Sequence, residues 1–127
     1  GEVWLEDLDG DGLEELITLE AFHGTTLRVY HQTQRDGWQC VWTCPIQMNF
    51  AHALWCGDLF GRRCGVCSSR REAAPLFLFW YEQGAYHTQM IEEGARASNV
   101  WVSCYRGKSC LLSANHGQNQ CVMYTQE

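Results

Sequence analysis

The chain holds only two prolines, no long apolar run and no surplus of positive charge. Its longest apolar stretch runs from Ala73 to Tyr81 and contains Pro75. A bilayer-spanning helix needs about 20 apolar residues, so no membrane span is expected. No basic segment followed by an apolar one opens the sequence, so no secretory leader is expected in it. Lys and Arg number 9 against 15 Asp and Glu, a net charge of −6. Without a basic stripe, no nucleic-acid partner is expected. Ser-His-Asp, HExxH, P-loop and dinucleotide fingerprints are also missing. What remains is a chain of 127 residues, 46% apolar and 13% aromatic, with six Trp. That excludes a disordered chain and suits one domain, or a piece of one, with a real core.

Tryptophan sets the register of an internal repeat. Gly1 to Gly10, with Trp4, resembles His52 to Gly61, with Trp55, and Ser98 to Gly107, with Trp101. A second block follows each: Leu16-Ile17-Thr18, Val66-Cys67-Ser68 and Leu111-Leu112-Ser113. A third recurs as Leu27 to Tyr30, Leu76 to Phe79 and Cys121 to Tyr124. A fourth appears twice, at Trp38 to Trp42 and Tyr86 to Ile91, and the third copy stops before it. Short blocks rich in β-branched and aromatic residues, bounded by Gly or polar turns, read as strands. Four short strands per unit of about 45 residues predict β-propeller blades. The chain then reads as all-β, one propeller segment over residues 1–127, with blade one about 1–46, blade two about 47–93 and an incomplete blade three about 94–127. Leu13 to Phe22 is rich in helix formers, yet its repeat counterparts predict a strand.

Eight cysteines would suit a disulfide-bonded secreted protein. The repeat argues for buried thiols instead. Cys56 aligns with Leu5 and Val102, Cys67 with Ile17 and Leu112, and Cys121 with Leu27 and Leu76. Small buried hydrophobes behave this way, so free thiols and a cytoplasmic location are expected, with a secreted, disulfide-bonded protein as the alternative. Cys64-x-x-Cys67 lacks a second half-site for zinc.

The sharpest motif is Asp7-Leu8-Asp9-Gly10-Asp11-Gly12-Leu13-Glu14-Glu15. Carboxylates at loop positions 1, 3 and 5 converge on a hard cation, and Gly12 permits the sharp turn. An EF-hand would need Glu where Thr18 stands, so Glu15 becomes the closing carboxylate. The loop is similar to the DxDxDGxxD/E calcium loop of integrin-type FG-GAP and VCBS repeats. That resemblance implies a propeller with calcium between the first two strands of a blade. It implies Asp7, Asp9, Asp11, the Leu13 carbonyl and Glu15 as the ligands. Blades two and three have lost the motif. Asp58 survives there, and Arg62, Arg63, Arg106 and Lys108 crowd those turns, where local pairing could replace the ion.

Blade topology sorts the remaining polar residues. His23, Arg70, Arg71, Glu72, Asn115 and His116 fall in connections between second and third strands. Asn49, His52, Arg96, Ser98 and Asn99 fall between blades or at the start of an innermost strand. All share the face opposite the calcium loop. Loops of several blades converge on such a funnel, so His52, Arg70, Arg71, Asn99 and His116 are the ligand-binding candidates. His31 and His87 fall on or beside outer strands and receive no role. Three readings follow. One is a calcium-stabilised binding module for a carbohydrate or a protein partner. Another resembles a fragment of a propeller-type carbohydrate lyase or dehydratase, with His52, Arg70, Arg71 and His116 as catalytic candidates. The last is a purely structural assembly domain. Three blades cannot close a ring, so the expected partner is the chain itself, as a homodimer or through further blades of a longer chain.

Overall fold

Period-two burial shapes the backbone. In Glu15 to Glu20 every second side chain is buried, the pattern of a strand with one face on a core. The computed structural model describes residues 2–21 and 24–126. Among them the chain builds three antiparallel sheets. The first runs β1 (Val3–Glu6), β2 (Glu15–Glu20), β3 (Thr26–Gln32) and β4 (Trp38–Thr43). The second runs β5 (Asn49–Leu59), β6 (Arg62–Arg71), β7 (Leu76–Glu82) and β8 (Ala85–Glu92). The third runs β9 (Ala97–Tyr105), β10 (Lys108–Asn115) and β11 (Gln120–Thr125), with a 3-10 turn at His116–Gln118. Spatial order equals chain order in each sheet. The protein is therefore all-β, and the helix-rich composition of Leu13 to Phe22 yields to strand β2. No sheet closes on itself among the described residues. No helix there is long and apolar enough to cross a membrane.

The tryptophans hold equivalent places. Trp4 pairs with Ile17, Trp55 with Val66 and Trp101 with Leu112. This corrects the sequence alignment by one residue in the second sheet. Val66 is the counterpart of Ile17 and Leu112, and Cys67 pairs with Leu54, the place of Thr18 and Ser113.

The sheets stack in one sense. The face of sheet one bearing Ile17, Leu19, Leu27 and Val29, with Trp4, packs on Leu54, Cys56, Cys67, Phe77 and Phe79 of sheet two. The opposite face of sheet two, with Trp55, Val66 and Leu78, packs on Val100, Val102, Leu111 and Tyr124 of sheet three. Each tryptophan-bearing face thus meets the other kind of face on the following sheet. At the ends one face of each kind stays open. Sheet three exposes Trp101 (62%) and Met123, and sheet one exposes Val3 (68%) and Leu5.

This placement sorts the cysteines. All eight are free, and Cys44, Cys56, Cys64, Cys67 and Cys110 are buried. Cys121 corrects the expectation drawn from its alignment with Leu27 and Leu76. Those two are fully buried, whereas Cys121 is exposed because the tryptophan face of sheet three is uncovered.

Gly65 of β6 leaves room for an aromatic ring on the neighbouring strand β7. A Cβ on Gly65 would lie 2.0 Å from Cζ of Phe79, whose ring is fully buried. Gly65→Ala is expected to destabilise the fold by about 1–3 kcal/mol through overpacking, read as a lower urea midpoint with unchanged slope.

Candidate metal centre

The loop joining β1 to β2 folds around its own carboxylates. Asp7 accepts the Gly10 N–H on Oδ1 at 2.8 Å and the Gly12 N–H on Oδ2 at 2.9 Å. Asp9 Oδ1 accepts from the Asp11 N–H at 3.0 Å, and Asp11 Oδ1 from the Leu13 N–H at 2.8 Å. Gly10 and Gly12 sit at φ 78° and 91°, which side chains other than glycine resist. The result is a tight loop that turns acidic side chains toward the start of β2.

Glu15 opens β2 and is fully buried. Its Oε2 accepts the Leu8 N–H at 2.6 Å, while Oε1 is buried with no hydrogen-bond partner. An unsatisfied buried carboxylate oxygen costs several kcal/mol unless something neutralises it. What faces it is His31 of β3. His31 Nε2 lies 2.7 Å from Asp11 Oδ2, 3.5 Å from Asp9 Oδ2 and 3.7 Å from Glu15 Oε1. One ligand atom from each of Asp9, Asp11, Glu15 and His31 falls within 4.8 Å of all the others. A calcium ion bonded at about 2.3–2.6 Å spans a group of this size. The cluster can therefore hold a metal ion, and the orphaned Glu15 oxygen is what a cation would satisfy.

The electrostatics agree. Burial, then the neighbouring Asp9 and Asp7 carboxylates, push Glu15 up to about 7, against the Leu8 N–H. Burial raises Asp9. The Leu13 N–H, then His31, lowers Asp11, and the Asp11 hydrogen bond raises His31. Crowded carboxylates of this kind repel one another until a proton or a metal intervenes.

Of the five ligands the sequence resemblance implies, the structure gathers Asp9, Asp11 and Glu15. Asp7 accepts the Gly10 and Gly12 amides, one on each oxygen, and so shapes the loop, while the contribution expected of Leu13 is its backbone carbonyl. His31, left without a role in the sequence, completes the cluster. The signal lay in strand register: Leu16 pairs with Tyr30, which sets residue 31 beside residue 15. Beside the cluster opens a cleft of about 450 Å³ lined by Asp9, His31, Trp42, Tyr81 and Tyr86. Trp42 stacks on Tyr86 with centroids 5.0 Å apart.

The local pairing expected at these turns is seen in the second sheet. There Arg63 pairs with Asp58 at 3.2 Å and reaches Glu6 of sheet one at 3.6 Å. Arg62 instead stacks over Trp80, and Arg106 over Tyr105.

The other candidates are brought together in part. Phe50, at φ 60°, stacks on His52. Arg71 lies 4.5 Å and Arg70 5.9 Å from the centroid of its ring. His52 Nδ1 donates to the Ser98 carbonyl at 2.9 Å, and Asn49 donates to Glu72. Phe50 was not foreseen. Asn99 accepts the Val100 N–H and borders the open face carrying Trp101. His116 donates its backbone N–H to Arg96 and lines a separate hollow with Ser98 and Asn119. Asn115 is fully buried and donates to Glu92, Gln118 and Tyr124, so it is a core residue and no surface ligand. His23 lies outside the described residues.

No known protein family, curated protein or solved structure matches the chain.

The raised Glu15 sets a sign. Its folded value lies above its ordinary 4.5, so the unfolded chain releases the proton first as pH rises. In chelator, stability should fall from about pH 4.5 to 7. The raised His31 adds to the same trend, because its stabilisation is also lost with rising pH. Glu15→Gln should flatten the decline in urea midpoints measured across that window.

Proposed function

We propose that the chain is a segment of a β-propeller, stabilised by one calcium ion at the β1–β2 loop, that serves as a binding module. The observation that carries the metal reading is the buried Glu15 Oε1, unpartnered and turned toward Asp9, Asp11 and His31. Hard carboxylate oxygens on a short Gly-bearing loop favour calcium. The role is stabilising, because three of the four gathered residues belong to the loop or its first flanking strand residue. The propeller reading is supported by the same-sense stacking of three meander sheets, which is how blades follow one another around an axis. The binding surface of this reading is the face opposite the calcium loop, where Arg70, Arg71 and His52 surround Phe50. Cationic and stacking groups together suit an acidic carbohydrate or a protein partner. The free thiols support a cytoplasmic location for the module.

Metal-loaded protein should melt higher than protein in chelator. A hundredfold excess of calcium over its dissociation constant adds about 2.7 kcal/mol by mass action. Asp9→Asn and Asp11→Asn should abolish that response. Unchanged melting on chelation of loaded protein would count against the site. A glycan array with Arg71→Ala as control tests the binding face.

Assembly follows from the open faces. The junctions within the chain already join a tryptophan-bearing face to the opposite kind. The exposed Trp101 face of one copy therefore has its natural complement in the exposed Val3 and Leu5 face of another. Two copies meeting in this way would give six blades around a shared axis. Light scattering at low micromolar concentration should report a dimer, and Trp101→Glu should yield monomer. A stable wild-type monomer would refute the assembly.

A further inference from the structure

We infer that His31 is itself a ligand of the bound cation, through Nε2, and that it opens the site to imidazole-accepting divalent metals such as Mn²⁺. The inference rests on the metal reading given above. It begins from the second ring nitrogen. His31 Nδ1 lies 2.9 Å from the Gln32 carbonyl oxygen. A carbonyl only accepts, so Nδ1 carries a hydrogen, and Nε2, which hydrogen-bonds Asp11 Oδ2 at 2.7 Å, becomes the coordinating nitrogen once a metal ion replaces its proton. Ligating histidines commonly hold their other ring N–H in this manner, which fixes both tautomer and ring orientation.

The backbone that supplies this carbonyl is itself tied down. The Gln32 side chain donates to the Glu14 carbonyl at 3.2 Å, joining the end of β3 to the loop. Nε2 then points among three carboxylates, 2.7 Å from the oxygen of Asp11. One of those carboxylates, Glu15, has a fully buried oxygen with no hydrogen-bond partner. A metal ion that takes the place of the Nε2 proton meets both this nitrogen and the unpartnered Glu15 oxygen. Three oxygens and one imidazole nitrogen, all within 4.8 Å, form a mixed donor set. Calcium gains little from the nitrogen, since it takes oxygen ligands. Manganese suits carboxylate oxygens as calcium does and, though lowest in the first-row series, takes an imidazole nitrogen more readily than the oxygen-seeking calcium.

The test uses the full chain, loaded separately with Ca²⁺ and Mn²⁺, in wild type, His31→Gln and Glu15→Gln. Calorimetry gives the affinities. Pulsed electron paramagnetic resonance on the Mn²⁺ form reads nitrogen coupling. Wild type should show modulation from a directly bound ¹⁴N that vanishes in His31→Gln. The same change should weaken Mn²⁺ binding by about tenfold or more and Ca²⁺ binding by less than about threefold. Bound Mn²⁺ without nitrogen modulation would overturn the inference while leaving the metal site standing. Equal losses for both metals would also overturn it, making His31 a support for Asp11. If neither metal binds wild type, the metal reading itself falls. Glu15→Gln should weaken both metals alike, which separates loss of the site from loss of the nitrogen ligand.

Discussion

The inner part of sheet two has no side that faces water, although its outer strand β8 is largely exposed. One of its faces is covered by sheet one and the other by sheet three. Side chains alternate across a strand, so a strand buried on both faces must be apolar or small at nearly every position. This explains why β6 carries Cys64-Gly65-Val66-Cys67-Ser68-Ser69 as one buried run, and why β7 opens Leu-Phe-Leu-Phe. Small residues in β6 sit beneath the large rings of β7, as Gly65 does beneath Phe79. The two-sided burial also makes the cysteines intelligible. Cys56, Cys64 and Cys67 serve there as small buried hydrophobes.

The metal cluster grows out of the same packing. Residues 15, 17 and 19 of β2 point to one face, and all three are buried. Ile17 and Leu19 fill that face as core residues should. Glu15 continues the alternation and so carries a carboxylate into a position built for an aliphatic side chain. The Leu8 amide offsets part of the cost at one oxygen. The loop brings Asp9 and Asp11 to the other, which raises the cost unless positive charge joins them. His31 stands on the adjoining strand at the point where that charge is needed. Fold and site are thus coupled: the burial that stabilises the sheet junction is what would make a cation worth binding.

The repeat, the strand blocks, their meander order and the acidic loop could all be read from the sequence, because each depends on local spacing. What could not be read depends on register between strands. The second block of sheet two slid by one residue, since Val66 and Cys67 are both small, apolar and buried and either fits the pattern. His31 stayed hidden because no motif within the loop points to a residue 16 positions beyond Glu15, and only the β2–β3 pairing brings it there. Cys121 looked buried by analogy, but analogy between repeats assumes a neighbouring sheet on every face. Phe50 lies in a left-handed conformation unusual for an aromatic residue, and nothing in its flanking sequence announces its place between His52 and the two arginines.

The open faces differ from ordinary protein surface in how their polar groups are handled. On the uncovered side of sheet one, Val3 pairs with Thr18 and Leu5 with Leu16, so the inner strands are largely apolar. Farther out, Glu20 accepts hydrogen bonds from Thr18, Arg28 and Tyr30 on that same side. Those partners lower the Glu20 carboxyl below its ordinary value, so it stays ionised and fully engaged at neutral pH. A polar patch that satisfies itself can be covered without stranding a donor or acceptor, unlike one that relies on water. An apolar inner half and a self-satisfied outer half leave few groups on this face that depend on water. The Trp101, Leu112 and Met123 face of sheet three is apolar in the same way, carrying the kind of side chain that joins the sheets within the chain.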